Sequence, residues 1–188
     1  SRAPIYDAFT RLQAEALVDV VPQRGTTVSL IKISDARENM FLRRAIEVEA
    51  VRAVTRNISG NHVEALKQNL RYQSAAVASG DNAGFHRFDL EFHAVRFEAL
   101  GFERVKAVAE TARLGLDRVR RLLNSRRRQE FTLQEHQVIL DEIQQRNVNA
   151  AANAMGAHLD AVMKELEAFA AANPELFADL QAKHDGQL

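Results

Sequence analysis

Apolar positions recur at helical spacing along most of this chain, and the pattern changes character only once. From Pro4 to Leu17 the residues Phe9, Leu12, Ala16 and Leu17 mark one face of a helix, and Pro4 suits its first turn. Val18 to Val21 is short and β-branched. Pro22-Gln23-Arg24-Gly25 is a turn signal, and Thr26 to Ile31 is again strand-like. After residue 34 no strand pattern remains.

Ser34 or Asp35 caps the next helix, with Glu38 completing a capping box, and Met40, Phe41, Ala45, Val48, Val51 and Val54 carry it to about Asn57. Ser59-Gly60-Asn61 breaks it. Further helices are predicted over about 61–79, 83–99 and 102–125, punctuated by Gly80-Asp81 and Gly101. Ser125 to Gln129 reads as a basic, solvated loop. Thr132-Leu133-Gln134-Glu135 is a second capping box that opens a helix just before His136. Asn147 caps another, running to about Ala172, and Asn173-Pro174-Glu175 opens a short last one. The predicted fold is all-α: an antiparallel bundle of six or seven helices, preceded by one helix and a small hairpin. A helix followed by a hairpin is the back half of a winged helix-turn-helix, whose complete form has two more helices ahead of this one. The expected division is residues 1–31 for that partial winged domain and 32–188 for the bundle. The 1–31 piece, unbraced by those two helices, is not expected to bind DNA specifically.

Composition narrows the function classes. The chain has 188 residues, 46% of them apolar, enough for a real core. It has no cysteine, which excludes disulfides and thiolate metal sites and suits a cytoplasmic location. No apolar run approaches the ~20 residues that cross a membrane, so no membrane partner is expected. Net charge is zero, and among the first thirty residues Arg2, Arg11 and Arg24 balance Asp7, Glu15 and Asp19. A strong, purely electrostatic grip on nucleic acid is not what this segment offers.

The chemistry concentrates in Asp89-x-x-x-His93, followed by His136 and His158. Asp89 and His93 stand one above the other on a helix face, beside Phe88 and Phe92. A carboxylate and an imidazole beside an aromatic face are costly unless paired or coordinated. One carboxylate and three imidazoles suit zinc first, then nickel, iron or manganese, rather than calcium or magnesium. On spacing alone, a hydrogen-bonded core pair remains the competing reading. His86 shares the face as a rival ligand. A di-iron bundle is excluded, because no Glu-x-x-His pair occurs. Arg43 and Glu47 are four apart and on spacing alone form a helix-surface ion pair.

The chain resembles the GntR family of bacterial transcription regulators, in the subfamily with an FCD-type effector domain. The resemblance rests on Ser1-Arg2-Ala3-Pro4-Ile5-Tyr6-Asp7-Ala8-Phe9, Arg11-Leu12 and Arg24-Gly25 at the start. In the bundle it rests on Arg43 to Glu47, Asp89-Leu90-Glu91-Phe92-His93, Glu135-His136 and His158-Leu159. Tyr6 stands where arginine is commoner, and Ala16-Leu17 replaces Gly-Leu. The resemblance implies a ligand-responsive regulator, not an enzyme. It would hold one divalent metal on Asp89, His93, His136 and His158, and a small carboxylate effector on Arg43 and Arg118, with Arg120 ranked behind Arg118. It further implies a homodimer on palindromic operator DNA, with Ser1, Arg2, Pro4 and Arg24 as DNA contacts. The alternative is a metalloenzyme that uses the same centre on a small organic acid.

Overall fold

A computed structural model describes residues 3–15, 17–21 and 23–181. The backbone forms two compact units, residues 1–34 with 170–188, and residues 35–169.

In the first unit, helix α1 (Ala3–Ala14) precedes strands β1 (Val18–Val21) and β2 (Gly25–Val28). The strands pair antiparallel, Val18 opposite Val28 and Val21 opposite Gly25. Gln23 and Gly25 take left-handed backbone angles, as a tight hairpin turn requires. Pro22 of the expected turn and Ala16 of the expected helix face lie outside the described residues. The helix stops at Ala14 rather than Leu17, because the Leu17 carbonyl accepts from Ser29 and extends the hairpin. The same unit holds the chain's last described segment. There a 3-10 turn (Pro174–Leu176) leads to Phe177, which bridges Ile31, and then to the final short helix (Ala178–Gln181). Asp179 accepts from the backbone N–H groups of Ile33 (3.0 Å) and Ser34 (2.8 Å), so a carboxylate from far along the sequence caps the helix that starts there.

The second unit is the bundle. Its helices are α2 (Ile33–Asn57), α3 (Gly60–Ser79), α4 (Asn82–Leu100), α5 (Glu103–Leu114), α6 (Asp117–Leu122), α7 (Arg126–Gln144) and α8 (Val148–Ala172). The final short helix is therefore α9. The all-α bundle and the preceding helix and wing agree with the sequence pattern. Gly80 and Gly101 end α3 and α4 in left-handed conformation. Arg146 does so at the end of α7, and its guanidinium donates to the Thr55 and Ile58 carbonyls, closing the end of α2. Among the described residues, the buried apolar side chains include two small clusters. Ala50, Phe97 and Ala109 form one, and Ala76, Val77 and Phe85 the other.

Two local expectations fail for identifiable reasons. The single helix expected over 102–125 breaks into α5 and α6 at Gly115, where a Cβ would lie 2.4 Å from the Asn39 amide nitrogen. The Leu116 N–H bonds back to the Arg113 carbonyl (2.8 Å), three residues earlier, and α6 begins at Asp117. The basic stretch from Arg126 is not a loop but the first turn of α7. The Ser125 hydroxyl accepts from the Arg128 N–H (3.2 Å) and caps it, so the Thr132 capping box falls inside the helix and His136 sits mid-helix. Ser125→Ala should therefore cost about 1 kcal/mol. That lowers Tm by roughly 2–4 °C, while substitution of Thr132, as a would-be cap, should show no such capping effect.

Candidate metal centre and ligand cavity

Helix α4 presents Asp89 and His93 one turn apart, α7 presents His136, and α8 presents His158; all four are buried. One ligand nitrogen from each of the three histidines lies within 4.8 Å of the others. The Asp89 Oδ1 oxygen stands 3.9 Å from His93 Nε2 and 3.7 Å from His136 Nε2. These three atoms have no hydrogen-bond partner, although all are fully shielded from solvent. A buried polar atom without a partner costs about 1–3 kcal/mol, and here three of them converge.

The other nitrogen of each ring is held. His93 Nδ1 contacts Glu47 Oε2, from α2. His136 Nδ1 lies 3.0 Å from Gln73 Oε1, from α3, and the Gln73 amide nitrogen is turned to Asn69 (2.7 Å), which leaves its oxygen to accept. His158 Nδ1 lies 2.7 Å from Glu135 Oε2, on α7. A carboxylate or amide oxygen stands at each Nδ1, which favours the proton there at His136 and His158. At His93 the Arg96 guanidinium also lies 2.7 Å from Nδ1 and competes with that assignment, while the Nε2 atoms of His93 and His136 are left without a partner. Only the three histidines meet that mutual 4.8 Å spacing, and Asp89 Oδ1 stands beside two of them; the spacing is wider than the roughly 3–3.5 Å expected around an ion about 2.0–2.2 Å from each. The donor set therefore fits a divalent metal: three neutral nitrogens and one carboxylate oxygen.

The electrostatics agree. Burial pushes the His93 imidazole down to about 3, against the pull of Glu47. Burial, then the neighbouring His158, holds His136 well below the ordinary imidazole value, and burial also lowers His158. For Asp89, burial acts to raise the carboxyl, but Arg120 and then His93 outweigh it and keep the group ionised. All four are in their metal-binding protonation states. The metal-free chain should accordingly lose stability on acidification. The unfolded imidazoles take up protons near 6.5, while folded His93 refuses them until about 3. Stability is thus fully present above about 6.5 and falls by about 1.4 kcal/mol per pH unit for each ring that stays neutral. A melting series from about pH 7.5 to about pH 5 checks the sign, and a Tm that rises on acidification contradicts it.

A cavity of about 350 Å³ opens beside the centre. Arg43, Asp89, His158, Arg120, Arg121 and Arg128 are among the residues lining it. Arg43 and Glu47 do form the ion pair that their spacing indicates (2.6 Å), but it is buried, not on the surface. Arg43 Nη2 is left without a partner, and so is Arg120 Nη1, although Arg120 contacts Asp89 through Nη2. Arg118 is half-buried on α6 and does not line the cavity. The helical period turns Arg120 inward instead. His86 lines the cavity but stands apart from the three clustered histidines. Of the expected DNA contacts, Pro4 is exposed in the first turn of α1 and Arg24 is exposed in the hairpin turn. Ser1 and Arg2 lie outside the described residues.

Sequence reasoning passed over Gln73 and Arg96, and placed Arg128 in a solvated loop, whereas it lies in α7 and lines the cavity. Arg96 is wholly buried and donates to Glu47 (2.9 Å) and to the Phe92 carbonyl (3.0 Å). Its one signal was a position a single turn after His93. Gln73 had none.

The FCD domain model matches residues 38–161. A transcriptional regulator in an unstable DNA locus of Streptomyces ambofaciens is 31% identical over 179 residues, 95% of this chain and 75% of that protein. The chain belongs to the GntR family of DNA-binding transcriptional regulators with an FCD domain. The transcriptional repressor RspR of Escherichia coli K12 is 27% identical over 180 residues, covering 95% of this chain and 79% of RspR. The solved structure of E. coli McbR/YncC shares the fold, with a TM-score of 0.73 at 14% identity over 89% of this chain and 80% of that one. The Streptomyces ambofaciens protein and RspR are transcriptional regulators, which decides the choice between a ligand-responsive transcriptional regulator and a metalloenzyme in favour of the regulator. Among the described residues no helix is long and apolar enough to cross a membrane.

Proposed function

We propose that the bundle, within residues 32–188, binds one divalent metal through Asp89, His93, His136 and His158, and a small carboxylic acid in the adjoining cavity. Zinc is the first choice, with nickel, iron and manganese as alternatives. The observation that carries this reading is the convergence of unpartnered buried atoms. Asp89 Oδ1, His93 Nε2 and His136 Nε2 await a cation, and Arg43 Nη2 and Arg120 Nη1 await an anion. Guanidinium groups with free N–H donors suit a carboxylate. Arg120 takes the role that the resemblance gives to Arg118. Residues 1–31 are the DNA-reading part, with Ser1, Arg2 and Pro4 at the bases and Arg24 at the backbone or the minor groove. The regulator acts as a homodimer on a palindromic site, one recognition helix to each half, and effector binding alters its hold on DNA.

Elemental analysis and native mass spectrometry of the purified chain test the metal and the acid together. One metal per chain is expected; a metal-free chain that takes up none on addition of zinc refutes the reading. Arg120→Ala should weaken binding of small carboxylates about tenfold or more, with metal content near normal. Arg118→Ala should change acid binding little. Calorimetric titration separates the two, and the reverse ranking would restore Arg118.

A further inference from the structure

Three arginines of the cavity wall are each joined to the metal centre by a carboxylate. Arg120 binds Asp89 itself. Arg43 binds Glu47, which holds His93. Arg128 binds Glu135, which holds His158. In the last chain the sharing is closest, because one oxygen, Glu135 Oε2, accepts from Arg128 Nη2 and also lies 2.7 Å from His158 Nδ1. Glu135 is next in sequence to His136, yet it serves the histidine of the neighbouring helix.

We propose that Glu135 is a positioning residue that fixes His158 as the Nδ1–H tautomer, and that Arg128, by sharing its carboxylate, lets an anion in the cavity set how tightly the centre holds its metal. This rests on the metal reading above.

The physical argument has two steps. A carboxylate that accepts from Nδ1–H orients the ring and makes Nε2 a stronger donor to a metal. A guanidinium on the same oxygen draws that charge away. Arg128 also donates to Thr132 Oγ1 (3.1 Å) and to Glu165 Oε1 (3.1 Å), and Arg128, Thr132, Glu165 and His158 all line the cavity. An anion there meets Arg128 directly. As it takes up the guanidinium, the Glu135 charge falls more fully on His158 and the metal is held more tightly. By linkage the metal then raises the affinity for the anion by the same factor. Glu135 and Arg128 are the members to test, since both are partly exposed, whereas Glu47 is sealed in the interior.

The test uses the full chain and zinc as the probe. Nitrogen-15 spectra of the metal-free protein report the His158 tautomer, and competition with a chelator reports zinc affinity. Native protein should show Nδ1–H at His158. Glu135→Leu should populate both tautomers and weaken zinc about 10- to 100-fold. Glu135→Gln, which keeps an acceptor, should retain the tautomer and lose less. Arg128→Gln imitates an anion's withdrawal of the guanidinium and should tighten zinc on the order of fivefold. A native tautomer and native zinc affinity in Glu135→Leu, with only a lower Tm, overturns the proposal. So does an Arg128→Gln protein that binds zinc as weakly as Glu135→Leu. A native chain that takes up no zinc refutes the metal reading and the metal half of this proposal. The His158 tautomer in Glu135→Leu would still decide, by itself, whether Glu135 positions the ring.

Discussion

The His93→Ala/His158→Ala double variant should bind no metal and should lose the whole metal-dependent rise in melting temperature. The two changes remove two of the three imidazoles and leave Asp89 and His136, too few to hold an ion against water. In the native chain, metal present at about a thousand times its Kd stabilises the fold by about 4 kcal/mol. At roughly 2–4 °C per kcal/mol for a chain of this size, Tm should rise by roughly 8–16 °C. The variant also empties the space of two buried rings, so its metal-free Tm should fall. The decisive readout is therefore the difference between chelator-treated and metal-loaded samples of each protein. A double variant that retains full metal content, or that shows the native difference, would place the metal elsewhere or nowhere.

Glu47→Ala should be the most destabilising single change in the bundle. Glu47 is one carboxylate between two fully buried arginines and a buried imidazole. Burial acts against its charge, but Arg43, His93 and Arg96 together hold it ionised well below the usual carboxylate range. Removing it leaves two guanidinium charges in the interior with their main acceptor gone. Breaking a buried pair in this way costs about 3–5 kcal/mol, or roughly 6–20 °C in Tm. Glu47→Gln keeps the shape and one acceptor and should cost less. Arg43→Met combined with Glu47→Leu should recover part of the loss, because an apolar pair replaces a broken ionic one. Denaturant unfolding of the three variants checks the order. A Glu47→Ala protein within about 1 kcal/mol of native would mean that water reaches the pair.

The bundle was legible because helical periodicity and glycine stops are local signals. Gly80 and Gly101 end helices where the pattern ends, and the Asp89–His93 face is visible from spacing alone. What the sequence hid is non-local. Arg43 and Glu47 look like a surface pair, since i,i+4 spacing says nothing about which face is covered, and it is α4 that covers them with His93 and Arg96. The need for a glycine at 115 comes from Asn39, far earlier in the chain, lying against it. Which of Arg118 and Arg120 lines the cavity depends on the face that α6 presents, and spacing does not give that. Gln73 could not be found at all, because a lone glutamine in a helix has no pattern that marks it as the partner of a histidine on another helix.

The four candidate ligands come from α4, α7 and α8, three segments widely separated along the chain. A single ion at that point would tie three helices together in the folded state, so that no one of them opens without breaking the site. Amide hydrogen exchange in the middle turns of α4, α7 and α8 should then collapse onto one shared, slow rate. In the stripped protein it should separate into three rates, one for each helix.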